Sequence, residues 1–181
     1  MGFTWNTKDQ GDCVTHPIQQ DFVREIMKDG HAVGKSVLEL GSYNVNGTVR
    51  DFFYGADRYV GVDWREGPCV DHVSLFHDIP WDREFDILVS CNAFEHDPMF
   101  ARSLAAGVRA LKIGGEIILS AAGPEYPSHE IDCAPGATRH YKGIGPYELK
   151  DALLTLGVRG NVIVPIQAGN LDVFFHGVKI Q

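Results

Sequence analysis

The sequence lacks any apolar run long enough to cross a bilayer, and its opening stretch, MGFTWNTKDQGD, lacks the apolar centre of a secretory signal. Neither a membrane partner nor export is expected. Gly2 is not followed by Ser or Thr where a myristoylation signal needs one. Cysteine is sparse: Cys13, Cys69, Cys91 and Cys133 are widely spaced, and none forms a Cys-x-x-Cys pair. This argues against a zinc knuckle or a disulfide scaffold and points to a reduced, cytoplasmic protein. A basic run is also missing. The 16 Lys and Arg are scattered among 24 Asp and Glu, giving a net charge of −8. Nucleic-acid binding draws on phosphate neutralisation, so no nucleic-acid partner is expected. The balance favours a small-molecule, sugar or protein substrate. There is no internal repeat or low-complexity segment. At 181 residues and 44% hydrophobic, residues 1–181 read as one domain with a substantial core.

What is present centres on Ser36 to Asp63, SVLELGSYNVNGTVRDFFYGADRYVGVD. Val37, Leu38 and Leu40 form the short apolar run of a strand buried on both faces. Glu39 interrupts it, and a carboxylate there needs a partner. Gly41 lets the chain turn and a ligand approach. Asn44, Asn46 and Gly47 supply turn chemistry before a predicted helix over Thr48–Phe53. Tyr59–Val62 is the next strand, and Asp63 follows it. An acid at this distance from the first turn grips ribose hydroxyls in doubly wound folds. The loop has no Gly-x-Gly-x-x-Gly, the fingerprint that a pyrophosphate cofactor requires. A bulkier polar loop suits a nucleoside without phosphates.

Ahead of this stretch, residues 1–35 form an N-terminal segment and a helix starting near Pro17. Ile18, Phe22 and Ile26 make its apolar face, with Val23 and Met27 alongside, and it ends near Gly30. Beyond Asp63, Trp64 could stack on an adenine or anchor the surface. Val73–Phe76 reads as a third strand, followed by His77-Asp78-Ile79-Pro80. Glu84–Ser90 is a fourth strand. Asp97-Pro98 caps a helix striped by Phe100, Leu104, Val108 and Leu111. Leu111–Gly115 is a turn, and Glu116–Ser120 a fifth strand. Residues 121–145 are a long irregular loop leaving the carboxyl end of that strand, where the acceptor side of a pocket is expected. Gly145-Pro146 opens a last helix that Gly157 ends. Asn161–Ile166 and Leu171–Val178 then form an antiparallel hairpin across Gln167–Asn170.

Several of these features, in this order, resemble the class I (Rossmann-like) S-adenosylmethionine-dependent methyltransferases over residues 17–120. They are the acid-x-Gly of Glu39-Leu40-Gly41, the strand-ending Val62-Asp63, Phe85-Asp-x-x-x-Ser90, Glu95-His96 before a helix, and Leu111-Lys-x-Gly-Gly115 before an apolar strand. The resemblance implies an α/β fold: a Rossmann-like, mostly parallel seven-stranded sheet with helices on both faces and a C-terminal antiparallel hairpin. It implies S-adenosylmethionine as cofactor. In the family the acid at the place of Asp78 accepts a hydrogen bond from the adenine amino group, and the next backbone amide, here that of Ile79, meets the ring. The cofactor residues it suggests are Glu39, Gly41, Ser42, Tyr43, Asn44, Gly47, Asp63, Trp64, Asp78 and Ile79, with Cys91 and Asn92 after the fourth strand. The loop departs from the family in lacking an internal Gly-x-Gly.

Methyl transfer is displacement at a carbon activated by sulfonium, and alignment carries much of the rate. A base is needed when the acceptor starts protonated, and His96, His129 and His140 are the catalytic candidates. Asn92-Ala-Phe-Glu95-His96 is similar to a Glu-x-x-Glu-His metal site of some methyltransferases, but Asn92 replaces the first ligand and no metal is expected. The leading function is a methyltransferase for a small-molecule or sugar-type acceptor. Its alternatives are a catalytically silent domain of the same fold that binds cofactor or a partner, and an NAD(P)-dependent oxidoreductase. With no separate recognition domain, acceptor selection falls to the long loop, the N-terminal segment or a second subunit of a homodimer.

Overall fold

The structure, a computed structural model, describes residues 17–44, 47–127, 140–164 and 171–181. The elements run α1 (Pro17–Met27), β1 (Ser36–Leu40), β2 (Arg58–Asp63), β3 (His72–Val73), β4 (Phe85–Cys91), α2 (Phe100–Ala110), β5 (Leu111–Ala122), α3 (Pro146–Thr155), β6 (Val158–Ile163) and β7 (Asp172–Lys179). Among the described residues seven strands form one sheet in the order β3-β2-β1-β4-β5-β7-β6. β1 to β5 pair in parallel, and β7 runs antiparallel to both β5 and β6. The expected mostly parallel sheet with an antiparallel C-terminal pair is therefore present. The turn expected at Gln167–Asn170 lies outside the described residues.

Alternation along the central strands divides the core into two layers. Val37, Ile87 and Val89 face Val23 and Met27 of α1 on one side. Leu38, Leu40 and Leu88 face Leu104 and Val108 of α2 and Leu149 and Leu153 of α3 on the other. Helices cover both faces. Each such buried side chain contributes roughly 1.5–3 kcal/mol.

Some elements differ from the sequence expectation. On α1 the fully buried row is Gln19, Val23 and Met27, and Phe22 and Ile26 flank it. The face is turned by one residue because Gln19 Nε2 donates to buried Asp172 at 2.8 Å. The helix expected over Thr48–Phe53 is a single 3-10 turn, Arg50–Phe52. Val49 and Phe53 are both drawn into the core, and the chain returns at once to bond Asp57 N to Lys35 O at 3.0 Å, leaving no length for further turns. The third strand shrinks to His72–Val73, since Phe76 turns inward as the first residue of the 3-10 turn Phe76–Asp78. The turn at Leu111–Gly115 is a bulge inside β5: Leu111 pairs with Phe85 and Glu116 with Ile87, so Lys112–Gly115 loops out. Asp97 caps the turn ahead of α2, its Oδ1 accepting Met99 N at 2.7 Å.

Candidate active site

The chain leaves β1 toward β2 on one side, while β4 lies on the other side and leads to β5. Such a reversal opens a crevice at the carboxyl ends of the strands. Glu39, next to last in β1, is buried, and its Oε2 accepts a hydrogen bond from Tyr59 OH at 2.8 Å. Burial pushes the Glu39 carboxyl up to about 7, with the Tyr59 hydroxyl and the Arg50 charge acting against it. Arg50 lies over the Tyr59 ring at 4.7 Å. The carboxylate read as needing a partner has one.

Gly41 has φ of 87°, and a Cβ there would fall 2.3 Å from Ala93 Cβ. The amides of Gly41 and Ser42 both donate to Val62 O, at 2.9 and 3.1 Å, which bends the loop across the end of β2. There Tyr43 N and Arg65 N donate to the two oxygens of Asp63 at 3.3 and 3.4 Å. Asp63 is only 7% exposed; burial raises its pKa, and those two amides oppose the shift. The Tyr43 ring is held between the Arg65 guanidinium, 3.8 Å from its centre, and Gly67, where a Cβ would come within 1.9 Å of the ring. Asn44 Oδ1 accepts Gly47 N at 2.8 Å, so these two residues close a local turn. Buried Ser42 keeps a hydroxyl with no hydrogen-bond partner among the described residues. Trp64 is 37% exposed and sits beside Arg65. Asp78 is exposed on the turn after β3, whereas Ile79 is a core residue whose carbonyl accepts from Arg109.

At the end of β4, burial pushes the Cys91 thiol up to about 12, reinforced by Glu39. Asn92 adopts a left-handed φ of 47°. Its Oδ1 accepts Ser120 Oγ at 2.8 Å and its Nδ2 donates to Asp172 Oδ1 at 3.3 Å. Both ends of that side chain are thus engaged within the protein. His96 ends the 3-10 turn Phe94–His96, and its ring lies 5.3 Å from that of Tyr141. His140 lines a groove of about 240 Å³ with Phe94, Asp97, Phe100 and Lys142. His129 lies outside the described residues. Among the described residues no group of three or more His, Cys, Asp or Glu is arranged to hold a metal.

No family model matches the chain, and no curated protein matches its sequence. Solved structures do. A Burkholderia thailandensis 1,6-didemethyltoxoflavin-N1-methyltransferase, with bound 1,6-didemethyltoxoflavin and S-adenosylhomocysteine, superposes with a TM-score of 0.67 at 18% identity, covering 90% of this chain and 79% of its own. An S-adenosylmethionine-dependent methyltransferase from Mesorhizobium loti gives 0.64 at 15% identity, covering 86% and 95%. The YcgJ protein of Bacillus subtilis gives 0.69 at 14% identity, covering 92% and 100%. The fold is that of the class I methyltransferases. At these identities the fold is what is shared.

Within this methyltransferase fold, Glu39, Gly41, Ser42, Tyr43 and Asp63 converge on one strand edge, and Ala93 brings the segment after β4 against them. The sequence reading missed three neighbours: Gln19, Glu95 and Asp172. Glu95 is 1% exposed, and its Oε1 accepts Ala122 N at 3.2 Å. The sequence reading holds it only within the Glu95-His96 motif and the resemblance to a metal site, not as a residue of this edge. Gln19 gave no signal that periodicity could resolve, being a polar residue at the border of an apolar stripe. Asp172 had none, because an acid opening an apolar strand is unremarkable until pairing brings it to Ala122.

Proposed function

We propose that the protein is an S-adenosylmethionine-dependent methyltransferase acting on a small-molecule or sugar-type acceptor. The observation that carries this reading is the pairing of the Gly41 turn with buried Asp63, whose two oxygens accept long amide contacts from Tyr43 and Arg65, beside the Ser42 hydroxyl, which has no hydrogen-bond partner among the described residues. These groups fit vicinal ribose hydroxyls and a nucleoside pressed close to backbone. Asp63 would hold the ribose, Trp64, Asp78 and the Ile79 amide the adenine, and Gly41, Ser42, Tyr43, Asn44 and Gly47 with Glu39, Cys91 and Asn92 the rest of the cofactor. When bound, the sulfonium supplies an activated methyl group; the chain aligns the acceptor and accepts its proton. His96, His129 and His140 are the histidine candidates for that proton. The small-molecule substrate of the Burkholderia neighbour supports a small acceptor. We read the protein as cytoplasmic, with no nucleic-acid partner and a homodimer compatible with its size; no helix among the described residues is long and apolar enough to cross a membrane.

A second reading, cofactor binding without catalysis, is favoured by the divergent loop after β1, which lacks an internal Gly-x-Gly. Calorimetric titration with S-adenosylmethionine and S-adenosylhomocysteine, using NAD and NADP as controls, tests the cofactor. Saturable binding of the sulfur nucleosides alone, weakened at least tenfold by Asp63→Ala, is expected. Binding of NAD or NADP instead, or no sulfur-nucleoside binding, would sink the reading. Turnover with a screened acceptor then separates enzyme from binding domain.

A further inference from the structure

The 3-10 turn after β4 carries Glu95 over the ends of β5 and β7. Oε1 is held by Ala122 N, while Oε2 has no hydrogen-bond partner among the described residues. Ala122 stands opposite Asp172 in the β5–β7 ladder, so a second buried carboxylate faces the same spot. Gln19, 0% exposed, gives its amide N–H to Asp172, and its Oε1 has no hydrogen-bond partner among the described residues. Lys142 fastens the turn through its backbone, N donating to Glu95 O at 2.8 Å, but its ammonium is paired with Glu148 at 2.7 Å. Tyr126 and Tyr141 lie within electrostatic reach of both acids. Glu95 Oε2 and Gln19 Oε1 are thus acceptors without a donor among the described residues, and Asp172 adds a second acid beside them. A buried acceptor without a donor costs about 1–3 kcal/mol, and a ligand bringing N–H donors and positive charge relieves that cost.

Building on the methyltransferase reading, we propose that this spot receives the amino group of an amine acceptor, with Glu95 Oε2 binding the ammonium and taking one of its protons. In that step an N–H bond breaks, an O–H bond forms on Glu95, and the electron pair stays on nitrogen, which becomes the nucleophile. An alcohol brings no charge and is far too weak an acid for a carboxylate to deprotonate; a carboxylate acceptor is repelled. Burial pushes Glu95 up to about 8 and Asp172 adds to the shift, while the Glu95 and Ala122 amides oppose it, so the ionised form that binds the ammonium becomes populated as pH approaches 8. Among the described residues the titratable groups around it are Cys91 from β4, Asp172 from β7, His96 on its own turn, Tyr126 after β5 and Tyr141 ahead of α3.

The test titrates the protein, saturated with S-adenosylhomocysteine, with phenethylamine, 2-phenylethanol and 3-phenylpropionate, following heat and the carboxyl ¹³C signal of Glu95. The amine is expected to bind at least tenfold more tightly than the other two and to move the Glu95 signal. Glu95→Gln should lose that preference and Glu95→Asp keep part of it, with circular dichroism confirming that both variants fold. Equal binding of the alcohol or the carboxylate, an unshifted Glu95 signal, or undiminished amine binding by Glu95→Gln overturns the proposal. Failure of S-adenosylhomocysteine to bind would overturn the cofactor reading instead, and the amine titration is then read on the protein alone.

Discussion

At Gly41 a single backbone conformation decides how closely the loop after β1 meets the segment after β4. A non-glycine residue at φ of 87° is strained, and its Cβ would sit 2.3 Å from Ala93 Cβ, so either the loop or the segment after β4 must move. Gly41→Ala is expected to lower unfolding free energy by roughly 2–4 kcal/mol and to pull Tyr43 N away from Asp63. Urea denaturation and cofactor calorimetry check this; a variant with the parent's midpoint and affinity would show that the two loops do not constrain one another. Gly41, Glu39 and Asp63 were legible in the sequence because each is tied to the end of an apolar run, which fixes its position along a strand. Glu95 and Asp172 were not, because their proximity is created by the β5–β7 pairing of distant segments. Gln19 was hidden by its own helix: periodicity finds an apolar face but does not say which residue at its border turns inward.

At the scale of the element, the ends of helices and strands are joined by contacts from far along the chain. The last carbonyls of a helix have no partner within it. At the end of α2, Lys179 from the close of β7 supplies donors, its buried Nζ bonding Val108 O at 2.9 Å and Leu111 O at 2.8 Å. Lys179→Met keeps the apolar stem and strips the ammonium, so Leu111 O loses this donor and Val108 O keeps only the amide of Leu111. A loss of about 1–3 kcal/mol is expected, with faster hydrogen exchange in the last turn of α2; an unchanged urea midpoint would mean that water replaces the lysine without cost. The long elements, β1, β2, β4 and the three helices, were legible to within a few residues because many side chains vote for each. The short ones were not. Arg50–Phe52 and His72–Val73 are set by where Val49, Phe53 and Phe76 must be buried, which is a tertiary demand with no local period.

Across the whole molecule the two ends of the parallel sheet carry opposite electrostatic character. At the amino end Glu116 accepts from His176 at 3.2 Å, His31 at 2.7 Å and Lys35 at 3.0 Å, and the His176 bond with these other partners holds its carboxyl down to about 2. At the carboxyl end burial lifts Glu39 to about 7 and Glu95 to about 8. An acid whose folded pKa lies below its ordinary 4.5 adds stability that is present above that value and lost as pH falls toward 2. Acids raised above 4.5 act in the other direction: the folded protein holds protons that the unfolded chain has released, so stability declines as pH rises from about 4.5 through 8. Each pKa unit corresponds to about 1.4 kcal/mol, so both slopes are large enough to measure. Stability is expected to peak near pH 5, with a lower urea midpoint at pH 8.5 and at pH 3. Glu95→Gln should flatten the alkaline decline and Glu116→Gln the acidic one, each leaving the opposite slope in place. A midpoint level from pH 5 to 8.5 would mean that Glu39 and Glu95 are ionised in the folded protein, and the carboxyl edge would then already contain the positive partners that an amine acceptor is proposed to bring.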